Sequence, residues 1–386
     1  MSSKSSRSND QATGSVNSGS EDVRQAMPMA CESPNGDAMD RLCEMLTRMA
    51  PNYRTAADWP SESLALCARA GVFRWFLPQS VGGMGWTEAE QVRGYLRLAA
   101  ADLTTTFVIT QFMGACKRIA TSENPVPKQR YLRSLLDGNA FATVGISHLT
   151  TSSLHLGAPA LRATPDGEGV GYRLDGMSPW VTGASAADLI VLAATLTDGR
   201  ELLAAVPTDD PAIVCGPGTE LVALSASRTD RVTLSNVRIE PEMIIAGPIN
   251  HVMKSGTGAG TGGLQTSTLA AGLSRAAVDY LLNESARRGE LKTVAEQLDA
   301  QVTELSESLI AAANGEQCDA SELRGRANRL VMRSTQAAMT AAKGAGYVAT
   351  HPVGRWCREA LFFLVWSCPQ PVANEHLCEL AGITSP

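Results

Sequence analysis

The sequence predicts an α+β multidomain chain with a helical N-terminal domain, a middle β domain of barrel or sandwich type, and a C-terminal four-helix bundle. Three observations carry this reading. Apolar residues recur at helical spacing from Asp37 to about Gly138, and short apolar runs alternate with turn residues from Phe141 to about Asn250. Beyond a glycine-rich segment, four long helical patterns follow one another with short joins. The expected boundaries are a disordered Ser-rich tail over 1–36, the helical domain over 37–140, the β domain over 141–250, a linker over 251–263 and the bundle over 264–386.

Each part has local reasons. Eight of the first twenty residues are serine, too polar a stretch to bury a core. Asp58 to Ala70 opens on Asp and Pro, gathers Leu64, Ala65, Cys67 and Ala68 toward one side, and stops at Gly71. Pro78-Gln-Ser-Val-Gly-Gly-Met-Gly-Trp86 is a turn-rich break before a helix over Glu88 to Ala101. In the middle domain, strands are expected at Ala142–Ile146, Tyr172–Leu174, Leu189–Ala194, Leu202–Val206 and Val232–Ile239. Val232, Leu234, Val237 and Ile239 interleave with polar residues, the pattern of a half-buried strand. The bundle helices are expected at Leu264–Arg288, Thr293–Ala313, Ser321–Lys343 and Arg355–Trp366.

Composition narrows the function classes. The chain has 386 residues, 44% of them hydrophobic and 19% charged, ordinary values for a protein with a sizeable core. A net charge of -6 without a basic patch argues against a nucleic-acid partner. No run of about 18 apolar residues exists, and the first thirty residues have no apolar centre of the kind a signal peptide needs, so a cytoplasmic protein is expected. The nine cysteines form no C-x-x-C pair and the five histidines no metal-ligand spacing, so neither a disulfide framework nor a metal is expected. Gly258-Ala-Gly-Thr-Gly-Gly263 satisfies the G-x-G-x-x-G pattern but follows no buried strand, so it reads as a linker rather than a dinucleotide turn.

Four segments in order resemble the acyl-CoA dehydrogenase family. They are Ala70-Gly-Val-Phe-Arg-Trp-Phe-Leu-Pro78 with Val81-Gly-Gly-Met-Gly-Trp86; Asp175-Gly-Met-Ser-Pro-Trp-Val-Thr-Gly183; Ser225 to Pro241; and Lys343-Gly-Ala-Gly-Tyr347 running on to Arg358-Glu-Ala360. The resemblance covers about residues 55 to 366 and extends to flavin monooxygenases of the same fold. It implies an FAD cofactor, with Trp180 and Thr182 against the flavin ring and a hydroxyl from Ser147 beside it. It implies that Arg288 meets the cofactor's pyrophosphate and that the glycine turn at Gly344 and Gly346 serves the cofactor of a neighbouring subunit. A homo-oligomer, a dimer of dimers, follows from that turn. The substrate it implies is a small molecule, with a CoA thioester as the family's type.

The chain departs from the family where the chemistry lies. Dehydrogenation of a thioester needs a carboxylate to take the α-proton while hydride leaves the β-carbon. The family's glutamate position after Arg-Asp-Ala corresponds to Ser367, and the position on the first bundle helix to Gln265 or Gly262. Serine has no basic pKa to offer. His148 replaces the family's loop glutamate and is the titratable group best placed near the implied ring, with a solvated loop histidine as the plainer reading. In the glycine turn, Lys343 stands where the family has its first glycine, and Thr340 where it has glutamine. Three functions remain open: α,β-dehydrogenation of an acyl-CoA with an atypical or missing base, flavin-dependent monooxygenation, and a non-catalytic subunit on the same scaffold.

Overall fold

The computed structural model describes residues 30–149, 160–167, 171–256 and 264–383. The Gly258–Gly263 motif and most of the Ser-rich tail lie outside the described residues. The tail's last part does not: Cys31 is buried, and its backbone N–H donates to the Ala70 carbonyl at 2.9 Å. An apolar residue within an otherwise polar stretch is enough to tie the chain down there.

The N-terminal domain is helical, as its periodicity predicts. Helix α1 (Asp37–Met49) buries Met39, Leu42 and Leu46, with Asp37 and Asp40 in the first turn and Arg48 in the last, complementing the helix dipole. Helix α2 (Ser61–Arg69) ends where Gly71 takes a left-handed φ of 80°. In the following turn, a Cβ on Gly83 would sit 1.9 Å from the Leu77 carbonyl oxygen, so only glycine fits. Trp75 stacks on Trp86 at 4.1 Å and fastens that turn to the next helix. Helix α3 (Glu88–Ala101) begins with a reciprocal capping box between Thr87 and Glu90. Helix α4 (Leu103–Thr121) is capped by buried Asp102 and is enclosed on nearly all sides.

The middle domain forms one hydrogen-bonded sheet of eight strands: β1 Ala142–Gly145, β2 Leu161–Pro165, β3 Tyr172–Val181, β4 Leu189–Leu196, β5 Glu201–Pro207, β6 Ile213–Cys215, β7 Asp230–Ile239 and β8 Ile244–Ile249. Its order is β6-β7-β3-β2-β4-β5-β8, with β1 parallel to β4. Strands β4 and β5 are buried almost throughout, which explains why their sequences are continuous apolar runs. Three strands escape the sequence reading. Strand β2 offers only Leu161 and Ala163 to the core, β6 has three residues, and β8 contains Gly247-Pro248, which reads as a turn.

Three long helices follow: α5 (Gln265–Ser285), α6 (Lys292–Ala313) and α7 (Ala320–Gly346). Helix α5 packs against α3, α6 and α7 and thereby joins the bundle to the N-terminal domain. The expected fourth helix over Arg355–Trp366 is instead α8 (Pro352–Ala360), a single turn at Phe362–Val365, and α9 (Gln370–Ala381). Trp366 is extended and Ser367 takes φ 45°, so the chain turns away just where one helix was expected to finish. The prolines at Pro352, Pro369 and Pro371 are first-turn signals rather than terminators. No helix among the described residues is long and apolar enough to cross a membrane.

Helix α7 is kinked at Lys343, whose φ of 53° and ψ of -142° suit glycine and strain any side chain. Lys343 is exposed, with a weak charge interaction toward Glu290. Lys343→Gly is expected to stabilise the chain by about 1 kcal/mol, measured by chemical denaturation. A destabilised variant would mean that the lysine side chain is held by a partner.

Candidate functional site

A cavity of about 930 Å³ opens between α3, α4, strand β1, the end of β3, the first turn of α5 and the Phe362–Ser367 segment. Three of its lining residues, Trp180, Leu224 and Ser367, have left-handed φ values of 55°, 62° and 45°. Strained backbone of this kind persists only where the surrounding structure enforces it.

Trp180 shows how. Strand β3 pairs with β7 with a first register shift between Leu174 and Gly176, and a second bulge falls between Ser178 and Val181, which pairs with Asp230. That bulge frees Trp180 from the alternation of the strand, and its indole stands 53% exposed on the cavity wall. Ser147, also on the wall, donates from Oγ to the carbonyl of Pro179 at 2.6 Å and so anchors the residue before the tryptophan. Thr182 is not on the wall. Its hydroxyl is buried and pairs with Thr229 at 2.9 Å, Thr229 pairs with Ser227 at 2.8 Å, and these last two face the cavity. Ser367 lines the cavity beside Trp366, which packs edge-on against Phe107 at 4.9 Å and near-parallel to Phe362 at 5.4 Å.

His148 is neither a solvated loop residue nor part of the cavity wall. It is 5% exposed, and burial pushes its pKa down to about 4 despite the backbone of Ala193, so it is a neutral imidazole at neutral pH. Arg288, Gly344 and Gly346 form a separate group outside the cavity. Arg288 donates from Nη1 to the Ala341 carbonyl at 2.6 Å and from Nε to Glu290 at 3.1 Å, tying the end of α5 to the kinked end of α7. A Cβ on Gly346 would meet that of Ala342 at 2.7 Å, whereas Gly344 has open space around it. Tyr347, next in the chain, is 90% exposed.

Helices α3 and α4 contribute polar wall residues that motif reading passed over: Glu88, Gln91, Tyr95, Thr110, Lys117 and Arg118. The available signal was the Lys117-Arg118 pair inside a helix otherwise rich in apolar residues.

Next to the cavity lies a buried charge cluster. Glu359 is 3% exposed and meets Arg355 at 3.3 Å, and burial pushes its pKa up to about 7, with Arg355 opposing and Asp102 adding to the rise. Burial also raises Asp102, although it accepts hydrogen bonds from the Thr105 hydroxyl and backbone. Arg355 and Glu359 border a second, smaller cavity of about 50 Å³ together with Tyr53 and His351.

No family model matches the sequence. Solved structures do match the fold. A glutaryl-coenzyme A dehydrogenase in complex with glutaryl-CoA is 18% identical, with a TM-score of 0.71 over 91% of this chain and 97% of that one. Dibenzothiophene monooxygenase from Paenibacillus sp. A11-2 is 15% identical, with a TM-score of 0.73 over 90% and 97%; it has also been solved with FMN. FkbI, described for biosynthesis of a methoxymalonyl extender unit, is 18% identical, with a TM-score of 0.74 over 89% and 98%. At these identities the likeness is one of fold.

Proposed function

We propose, on the premise that this chain has the acyl-CoA dehydrogenase fold, that it is a flavin-dependent oxidoreductase with FAD as its cofactor. The supporting observation is Trp180, a flat apolar ring held half-exposed on the wall of a large cavity by a bulge and a left-handed backbone. Leaving that surface to water wastes the burial of a large aromatic, whereas a planar ligand would cover it. Bound there, a flavin supplies two-electron redox chemistry. Trp180 stacks its ring, the hydroxyls of Ser147, Ser227 and Thr229 stand at the same wall, and Met113, Val144, Ile146 and Phe362 keep water from the reacting atoms. Thr182 orients Thr229 from behind.

The purified protein is expected to be yellow, and liquid chromatography of the released flavin identifies FAD or FMN. Trp180→Ala is expected to weaken flavin binding about tenfold, as loss of one aromatic contact does. A protein with no flavin absorbance even after addition of FAD and FMN overturns the proposal and leaves a non-catalytic subunit.

Within this class, monooxygenation is the reading the cavity favours. By the resemblance Ser367 stands where the family has its base, and among the described lining residues Glu88 is the one carboxylate, exposed at the start of α3. Reduced flavin and oxygen need no α-proton acceptor. Dehydrogenation of a CoA thioester is the second reading, and it requires a base that serine cannot supply.

A homo-oligomer, a dimer of dimers, belongs to the same proposal. The turn at Gly344, with exposed Tyr347 and Val348 beside it and Arg288 behind it, stands away from this chain's own cavity and suits a neighbour's cofactor. Light scattering is expected to give a multiple of 40.7 kDa, and a monomer mass at micromolar concentration refutes this part.

A further inference from the structure

Cavity walls that are meant only for apolar ligands do not carry buried cations, because desolvating an ammonium or guanidinium is costly. This wall carries two in succession on α4. Lys117 is half-buried, with Nζ 5.5 Å above the Phe76 ring and 3.5 Å from the Gln91 side-chain oxygen. Among the described residues it forms no ion pair within 4 Å. Arg118, 2% exposed, lies folded along the helix, with Nη1 donating to the Gly114 carbonyl at 2.9 Å. The Tyr95 hydroxyl is buried on the same wall and faces Gln265 without a well-formed hydrogen bond. Counting charges, the described wall holds Lys117, Arg118 and Arg358 against Glu88.

We propose that Lys117, with Gln91 beside it, forms a subsite for an anionic group of the substrate, so that the cavity selects acidic over neutral ligands. The inference rests on the reading of this cavity as the substrate site. The ammonium has donors to spare, its Gln91 acceptor is at the limit of hydrogen-bond distance, and Lys117 is itself part of the cavity wall. An entering carboxylate would accept from Nζ in a partly desolvated place, where charge-assisted hydrogen bonds are strongest. Burial already pulls the Lys117 pKa down, with Glu88 opposing, and an anion would offset that cost.

The test uses the full-length protein as isolated and the probes hexanoate and hexanamide, which share a chain and differ in charge. Calorimetry is expected to show hexanoate binding about tenfold or more tightly than hexanamide, the size of one charge-assisted contact. Lys117→Met is expected to bring the ratio to about one without weakening hexanamide, and Lys117→Arg to retain most of the preference. Lys117→Gln serves if the methionine variant melts earlier. Equal binding of the two probes by the wild type, or a preference that survives in both neutral variants, overturns the proposal. The anion could instead be the flavin's own phosphate: loss of FMN affinity in Lys117→Met with riboflavin affinity unchanged would assign the cation to the cofactor and likewise overturn it. Flavin bound without any anion preference removes the subsite alone, whereas a preference in a protein that binds no flavin removes only the redox reading.

Discussion

Ser367→Glu is expected to raise the turnover of a straight-chain acyl-CoA by about 10²-fold or more, because a positioned general base contributes about 10²–10⁴. The wild type, by the same argument, is expected to show little such activity. Ser367 lines the large cavity, and the turn that carries it is fixed by the packing of Phe362 and Trp366 against Phe107. A carboxylate placed there would share that aromatic surrounding, which raises its pKa toward the range a base needs. The measurement is bleaching of the bound flavin by acyl-CoA under anaerobic conditions, wild type against variant. Wild-type bleaching as fast as the variant's would mean that another group takes the proton, with Glu88→Gln as the next variant to make. If neither protein bleaches while flavin is bound, the weight moves from dehydrogenation to monooxygenation.

Glu359→Gln is expected to gain stability relative to the wild type as pH rises. The folded pKa of Glu359 is about 7 against an ordinary value of 4.5, and burial is the main cause. Below pH 4.5 the group is protonated in both folded and unfolded chains and costs nothing. Between pH 4.5 and 7 the unfolded chain loses the proton first, so the wild type loses stability at up to about 1.4 kcal/mol per pH unit, and above 7 the loss is complete. Glutamine does not titrate, so the difference between the two proteins is expected to grow to about 3 kcal/mol across that window. His148 acts in the opposite sense, because its lowered pKa removes stability as pH falls toward 4, but it does so in both proteins and cancels in the comparison. Denaturation midpoints from pH 4.5 to 8 measure the difference, and a flat one would show that Glu359 does not titrate there.

The order helices, sheet, helices was legible because periodicity is a local property, visible in α1, α3 and the runs of β4 and β5 without knowledge of their neighbours. The turn before α3 was legible too, since Gly82-Gly83 and the Thr87/Glu90 capping box depend on residues a few positions apart. Sequence reasoning also brought Ser147, Trp180 and Ser367 forward as site residues, and all three line one cavity. What it did not reach were decisions made by distant pairing. Trp180 is exposed because β3 slips register against β7, Thr182 is hidden because Thr229 comes between it and the cavity, and His148 is buried although Ser147 next to it lines the cavity. Arg288 and the Gly344 turn fall outside the cavity because the ends of α5 and α7 meet each other instead. Lys117 and Arg118 face the cavity only because α3, Phe76 and strand β1 enclose α4. A chain's own pattern determines which residues seek burial, whereas the long-range packing of other segments decides what covers them and which of them a ligand can reach.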